Sequence, residues 1–169
     1  NYIIEDCEMK NVMVDLETMG NGSSAAICAI GAVEFDLDLG ILGRKFYTIV
    51  DLESSVAAGG FIDASTVLWW LKQSKAAIAE IIKPGDDIFD ALAEFSWWLE
   101  DCGEIKDNLC IWGNGAAFDN VILRNAYINA GLEPFWEFWG DRCYRTIKAL
   151  HPNVEVDNKT IGIKHRAID

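Results

Sequence analysis

The segment KNVMVDL, residues 10–16, most constrains the fold. Its apolar and β-branched residues alternate and end on an acid, the pattern of a half-buried strand rather than a helix. Residues 26–36 (AICAIGAVEFD) and 45–50 (KFYTIV) read as two further strands, with turn-forming sequence around residues 38–43 to join them as a hairpin. Three early strands in succession predict an antiparallel meander. The character then changes. Asp63 or Ser65 can cap a helix over residues 66–73, and Asp86 or Asp87 can open a longer one through Leu99 with Ile88, Leu92, Phe95 and Leu99 on one face. Residues 108–112 (NLCIW) read as a short buried strand, residues 113–116 as a tight turn, and residues 118–129 and 142–150 as helices. Residues 165–169 read as the first turn of a last helix. Strands, helices, a strand and helices again make an α/β sheet with helical flanks.

Asp15 and Glu17 stand at i and i+2 where the first strand ends, and the two-residue period turns both carboxylates to one face. Such a pair can bridge divalent cations, although D-x-E alone also describes an ordinary solvated strand end. Here the acids close a strongly apolar strand and run straight into the turn Thr18-Met19-Gly20. About a hundred residues on, a buried strand again meets a glycine-bearing turn, and Asp119 follows at a helix start. Its bland role would be a favourable charge on the helix macrodipole. His165, between Lys164 and Arg166, would by itself be a surface histidine.

VDLETMG at 14–20, GNGAAFDNVIL at 113–123 and KHRAID at 164–169 together resemble the three exonuclease motifs of the DEDDh family of 3′→5′ exonucleases, within the RNase T-like superfamily. The chain is most similar there to the exodeoxyribonuclease VIII-like proteins of phages and prophages, and to the Rv-type exoribonuclease-like group. TVLWWLKQS at 66–74 and PFWEFWGDRCYRT at 134–146 extend the likeness, which runs from Met9 to Asp169. The resemblance implies an RNase H-like mixed sheet, antiparallel over its first three strands and parallel thereafter, and two-metal hydrolysis of single-stranded DNA or RNA from the 3′ end to nucleoside monophosphates. By position, Asp15, Glu17 and Asp119 would bind two Mg²⁺ or Mn²⁺ ions and His165 would be the general base.

There are two departures. Gly115 stands where many relatives have an asparagine, and Asn114 lies one residue earlier. The family's fourth acid comes five residues after the histidine, whereas Asp169 comes four after it. Asp169 is therefore expected to be an imperfect substitute, in a single domain over residues 9–169 whose third motif is cut short. Residues 1–8 are read as a leader or appended segment. Thr18, Met19, Asn114, Phe118, Lys164 and Arg166 are the expected substrate positions, Met19 beneath the terminal base and Lys164 and Arg166 on phosphates. Arg124, Arg142 and Arg145 are further candidates for phosphate, each reading more readily as an ordinary surface charge.

A net charge of −13 argues against tight coating of a duplex. Either the substrate is not nucleic acid, or divalent cations mediate contact with phosphate. The five cysteines, Cys7, Cys28, Cys102, Cys110 and Cys143, form no C-x-x-C pair and read as reduced thiols in a cytoplasm. Neither a signal peptide nor an apolar run of membrane length is present, so no membrane partner is expected. Of Trp69 and Trp70, and of Trp97 and Trp98, at most one each can face a core, since helix neighbours point apart. Trp69 or Trp70 can line a substrate groove. Trp136 or Trp139, where exposed, would mark the face of a homodimer. Two alternatives stay open: a nuclease-fold binding or scaffolding module without turnover, and a nuclease for very short oligonucleotides.

Overall fold

The computed structural model describes residues 10–102, 108–155 and 162–169. Five strands form one sheet in the order β3-β2-β1-β4-β5: β1 Lys10–Thr18, β2 Ile27–Phe35, β3 Leu42–Ile49, β4 Leu109–Gly113 and β5 Asp141–Cys143. The first three form the expected antiparallel meander, and β4 and β5 continue the sheet in parallel from β1. The mixed α/β sheet read from the sequence is the observed one.

Val12, Val14 and Leu16 of β1, Ile30 and Ala32 of β2, and Leu109 and Ile111 of β4 share one dry face. That face is covered by α4 Ile88–Cys102, through Ile88, Leu92, Phe95 and Leu99, and by α5 Asp119–Asn129, through Ile122, Leu123 and Tyr127. The opposite face carries Asp15 and Glu17. Glu17 pairs with Ala29 but Thr18 pairs with Ile27, leaving Cys28 as the extra residue of a bulge. The main core therefore keeps Ile27, while Cys28 joins a second small cluster with Trp70, Ala77 and Ile81. This cluster seats α2 Ala64–Trp70 and α3 Lys75–Ile81.

Several local expectations need correction. The helix expected over residues 66–73 begins at Ala64 and stops at Trp70, and Ser65 lies inside it. Asp63 occupies the N-cap position without bonding the helix; its carboxylate accepts from the Asn21 N–H at 3.2 Å. Asp87 does cap α4, accepting from Phe89 N–H at 2.9 Å. α1 Leu52–Ala57, capped by Asp51, and α3, capped by Ser74, were not foreseen. The helix expected at residues 142–150 opens as strand β5, because Asp141, Arg142 and Cys143 find β4 as a hydrogen-bonding partner; α6 Tyr144–Leu150 follows. Gly140 permits that pairing, since a Cβ there would lie 2.2 Å from the Leu109 carbonyl oxygen. Residues 162–169 form turns, not a helix start, with Arg166 N–H bonding Ile163 O and Asp169 N–H bonding Arg166 O.

Trp70 is buried and Trp69 43% exposed, and Trp98 packs on the core while Trp97 is exposed. Trp136 is buried, its Nε1 donating to Asp141, so the dimer-face reading fails for it; Trp139 is exposed beside Phe138. Cys28, Cys102, Cys110 and Cys143 are free thiols, and Cys7 lies outside the described residues. No helix among the described residues is long and apolar enough to cross a membrane.

Phe95 is fully buried where α4 meets β3, against Phe46 and Trp98. Phe95→Ala is expected to cost about 3–5 kcal/mol through lost burial and the cavity left behind. Urea unfolding checks this: the midpoint should fall sharply with the slope unchanged.

Candidate active site

An open cleft of about 590 Å³ lies over the far end of β1 and is lined by Asp15, Glu17, Thr18, Trp69, Arg145 and His165, among others. Each wall has its own anchor. β1 supplies the acids. The Trp70 indole N–H donates to the Thr18 carbonyl at 2.9 Å, tying α2 to the end of β1 and setting Trp69 at the cleft edge. Asn120, at the start of α5, is 1% exposed and donates to the Ile111 carbonyl and to Asp141, both at 2.9 Å. Those bonds dock α5 on β4 and place Asp119 beside β1. The close approach needs Gly113, where a Cβ would stand 2.5 Å from Asn120 Oδ1 and 3.2 Å from Asp119 Oδ2.

His165 reaches the cleft over the same face of the sheet as the acids. Its segment crosses β2 at Gly31, the partner of Asp15 in the ladder. A Cβ on Gly31 would lie 2.1 Å from the Ala167 carbonyl oxygen, so the crossing depends on a residue without a side chain. His165 itself has φ 65°, a left-handed backbone that costs a non-glycine residue energy. Its ring meets Trp69 edge-on at 4.8 Å and Trp70 at 6.1 Å.

The electrostatics are those of crowded negative charge. Asp15 keeps solvent access in the cleft, yet the protein around it pushes its carboxyl up to about 7, with the Asp119 charge adding to the effect. Glu17 is pushed up to about 8, first by burial and then by the charges of Asp15 and Asp119. Burial also raises Asp119, opposed by backbone hydrogen bonds from Gly115 and Leu16 and by the Arg145 guanidinium. Burial, then the neighbouring Lys164 charge, lowers His165 and favours its neutral form. Among the described residues, no three histidine, cysteine, aspartate or glutamate side chains close a metal site by themselves. The donor set still suits a hard cation, because Mg²⁺ is usually held by one or two carboxylates and completed by water and phosphate oxygens. Repelling carboxylates with raised pKa values are the state such an ion would relieve.

The other expected residues divide. Thr18 and Phe118 line the cleft. Met19 packs on the small cluster around Trp70. Asn114 is exposed in its turn, and its carbonyl accepts from the Arg145 N–H at 3.1 Å. Lys164 is exposed beside His165. Arg166 turns away to Glu80, with Nε 3.2 Å from the carboxylate, and Asp169 accepts from the Ile163 N–H at 2.9 Å. Arg124 pairs with Asp141, and Arg142 donates to backbone carbonyls, which leaves Arg145 as the one of these three arginines lining the cleft. Asn21, Ser65 and Thr66 also line it, and nothing in their local sequence marks them.

The family model for the 3′-5′ exoribonuclease Rv2179c-like domain matches residues 10–169. The exodeoxyribonuclease of Enterobacteria phage T4 is 27% identical over 166 residues, covering 84% of this chain and 72% of its own. Among solved structures, E. coli exonuclease I in complex with a dT13 oligonucleotide matches with a TM-score of 0.60 at 18% identity, over 86% of this chain and 31% of that one. The metal-free form of its complex with single-stranded DNA matches with a TM-score of 0.63 at 15% identity, over 86% and 30%. This chain thus spans about a third of the solved exonuclease I chains, and at such identities the likeness is one of fold, the RNase H-like fold of exonucleases. With its three motifs gathered at one cleft, the chain belongs to the family of 3′-5′ exoribonuclease Rv2179c-like domains.

Proposed function

We propose that this domain hydrolyses single-stranded nucleic acid from the 3′ end, releasing nucleoside monophosphates, with divalent cations held by Asp15, Glu17 and Asp119. The observation that carries this reading is that one cleft joins two paired carboxylates, an arginine, an exposed tryptophan face and a histidine inclined to be neutral. Bound Mg²⁺ or Mn²⁺ would neutralise phosphate oxygens and acidify a coordinated water. The residues do the rest. Trp69 offers an aromatic face on which a base can stack whatever its identity. Arg145 gives a phosphate a cation in a molecule whose net charge of −13 otherwise repels it. His165, neutral near pH 7, accepts a proton from the attacking water. A free terminus entering an acidic cleft suits this charge better than duplex wrapping does.

Without a cation, Asp15 and Glu17 take up protons on folding, because their values of about 7 and about 8 lie above the ordinary 3.8 and 4.5. The folded chain then binds more protons than the unfolded one from about pH 4 to about 8, so the pair's contribution to stability is present at the acid end and lost as pH rises. In thermal unfolding of the cation-free protein, the difference in Tm between Asp15→Asn and the parent should therefore grow in the variant's favour across this range. Mn²⁺ should raise the parent's Tm more at the alkaline end than at the acid end. Equal stabilisation at both ends would mean the ions bind elsewhere.

Activity is tested on matched 5′-labelled DNA and RNA single strands with Mn²⁺. A ladder shortening from the 3′ end is expected, abolished by chelator and by Asp15→Asn. His165→Ala should lower kcat by about 10²–10⁴-fold, the usual worth of general acid–base catalysis. The better-shortened strand identifies the sugar preference. Binding of either strand without shortening, by a folded protein, would replace this reading with a binding module.

A further inference from the structure

Besides its backbone contact with Gly31 and its ring contacts with Trp69 and Trp70, the segment that carries His165 is held by one polar cluster that lies outside the cleft. Glu80, on α3, is 5% exposed, and its carboxylate is ringed by the Lys83 ammonium, the Tyr47 hydroxyl at 3.1 Å and Arg166 Nε at 3.2 Å. The Arg166 guanidinium also lies 5.1 Å above the Tyr47 ring and 3.4 Å from Asp169 Oδ2. Asp169 Oδ2 in turn accepts from the Ile163 N–H. Residues 163–169 thus form a small loop closed on itself, tied by Arg166 to a buried anion. His165 at φ 65° lies inside this loop, a left-handed backbone that a non-glycine residue holds only where its surroundings impose it.

We propose that Glu80 is a positioning residue for His165, acting through Arg166 to latch residues 163–169 across Gly31 and so hold the imidazole against Trp69 at the cleft. Tyr47 and Lys83 complete the socket. Tyr47 is the β3 partner of Gly31, which is itself the partner of Asp15, so sheet register sets the distance between latch and acids. The hydrogen bond from Lys83, ahead of the opposing effect of burial, holds the Glu80 carboxyl below its ordinary value and keeps the anion available to Arg166. A buried pair of this kind is poor evidence of net stabilisation, but breaking one partner leaves the other charge uncompensated and the arrangement unspecified.

The catalytic side of this inference rests on His165 acting in the proposed hydrolysis; the latch itself does not. Glu80→Gln, Arg166→Ala and the double variant are compared with the parent in two measurements. In amide hydrogen exchange, residues 162–169 should lose protection in all three variants while the β1 and α4 amides keep theirs. In kinetics, kcat should fall about 10²-fold, the cost of an ångström-scale misplacement, with KM retained and the double variant no worse than either single one. Tyr47→Phe, which removes one hydroxyl, should shift both readouts in the same direction by less, and serves if Glu80→Gln does not fold. Unchanged exchange at residues 162–169 in Arg166→Ala and Tyr47→Phe would overturn the latch. Additive losses in the double variant would also overturn it, since the two residues would then act separately. Loss of protection in the segment while His165→Ala remains fully active would keep the latch and remove the catalytic role of His165 instead.

Discussion

β1 is hydrogen-bonded along both edges, antiparallel to β2 and parallel to β4, and its side chains alternate between a dry core and an acidic cleft. Val12, Val14 and Leu16 cannot leave the core without taking Asp15 and Glu17 with them. A slip of one residue would bury both carboxylates under α4 and α5 and expose three aliphatic side chains, so the hydrophobic cost of misregister protects the position of the charges. The repulsion between the acids is thus carried by burial elsewhere on the same strand.

The strands bring their groups to the site from regular positions, whereas the remaining groups depend on close packing. Asp119 reaches β1 because Gly113 leaves room and Asn120 bonds the β4 backbone. Trp69 is placed by its neighbour Trp70, whose ring is buried and whose indole N–H holds the end of β1. The adjacent tryptophans divide the work: one is a structural peg and the other presents its ring to the cleft.

What could be read from the chain alone follows from range. The alternation in β1 and the apolar face of α4 are local patterns, and the structure has them where those patterns put them. β5 has three residues and no periodicity of its own; only the open edge of β4 makes it a strand. α3 spans seven residues, and its Glu80 shows its importance only when Arg166, more than eighty residues later, folds against it. Arg166 had every local reason to be read as a phosphate contact, since it adjoins the histidine. Its side chain instead meets Glu80, after a left-handed turn at His165 that a motif does not display.

Gly31 lies in the middle of a well-paired strand, where a glycine weakens the sheet and an alanine would ordinarily be welcome. Its neighbours in the ladder, Asp15 on one side and Tyr47 on the other, belong to the acids and to the latch. The nearest atoms that a Cβ there would meet belong to Ala167. Position 31 therefore separates two kinds of selection. A screen that scores only a folded, soluble domain has no reason to keep glycine, whereas one that scores the assembled cleft does. Variation at this single position among natural or evolved sequences would distinguish chains maintained for catalysis from chains maintained only as a scaffold.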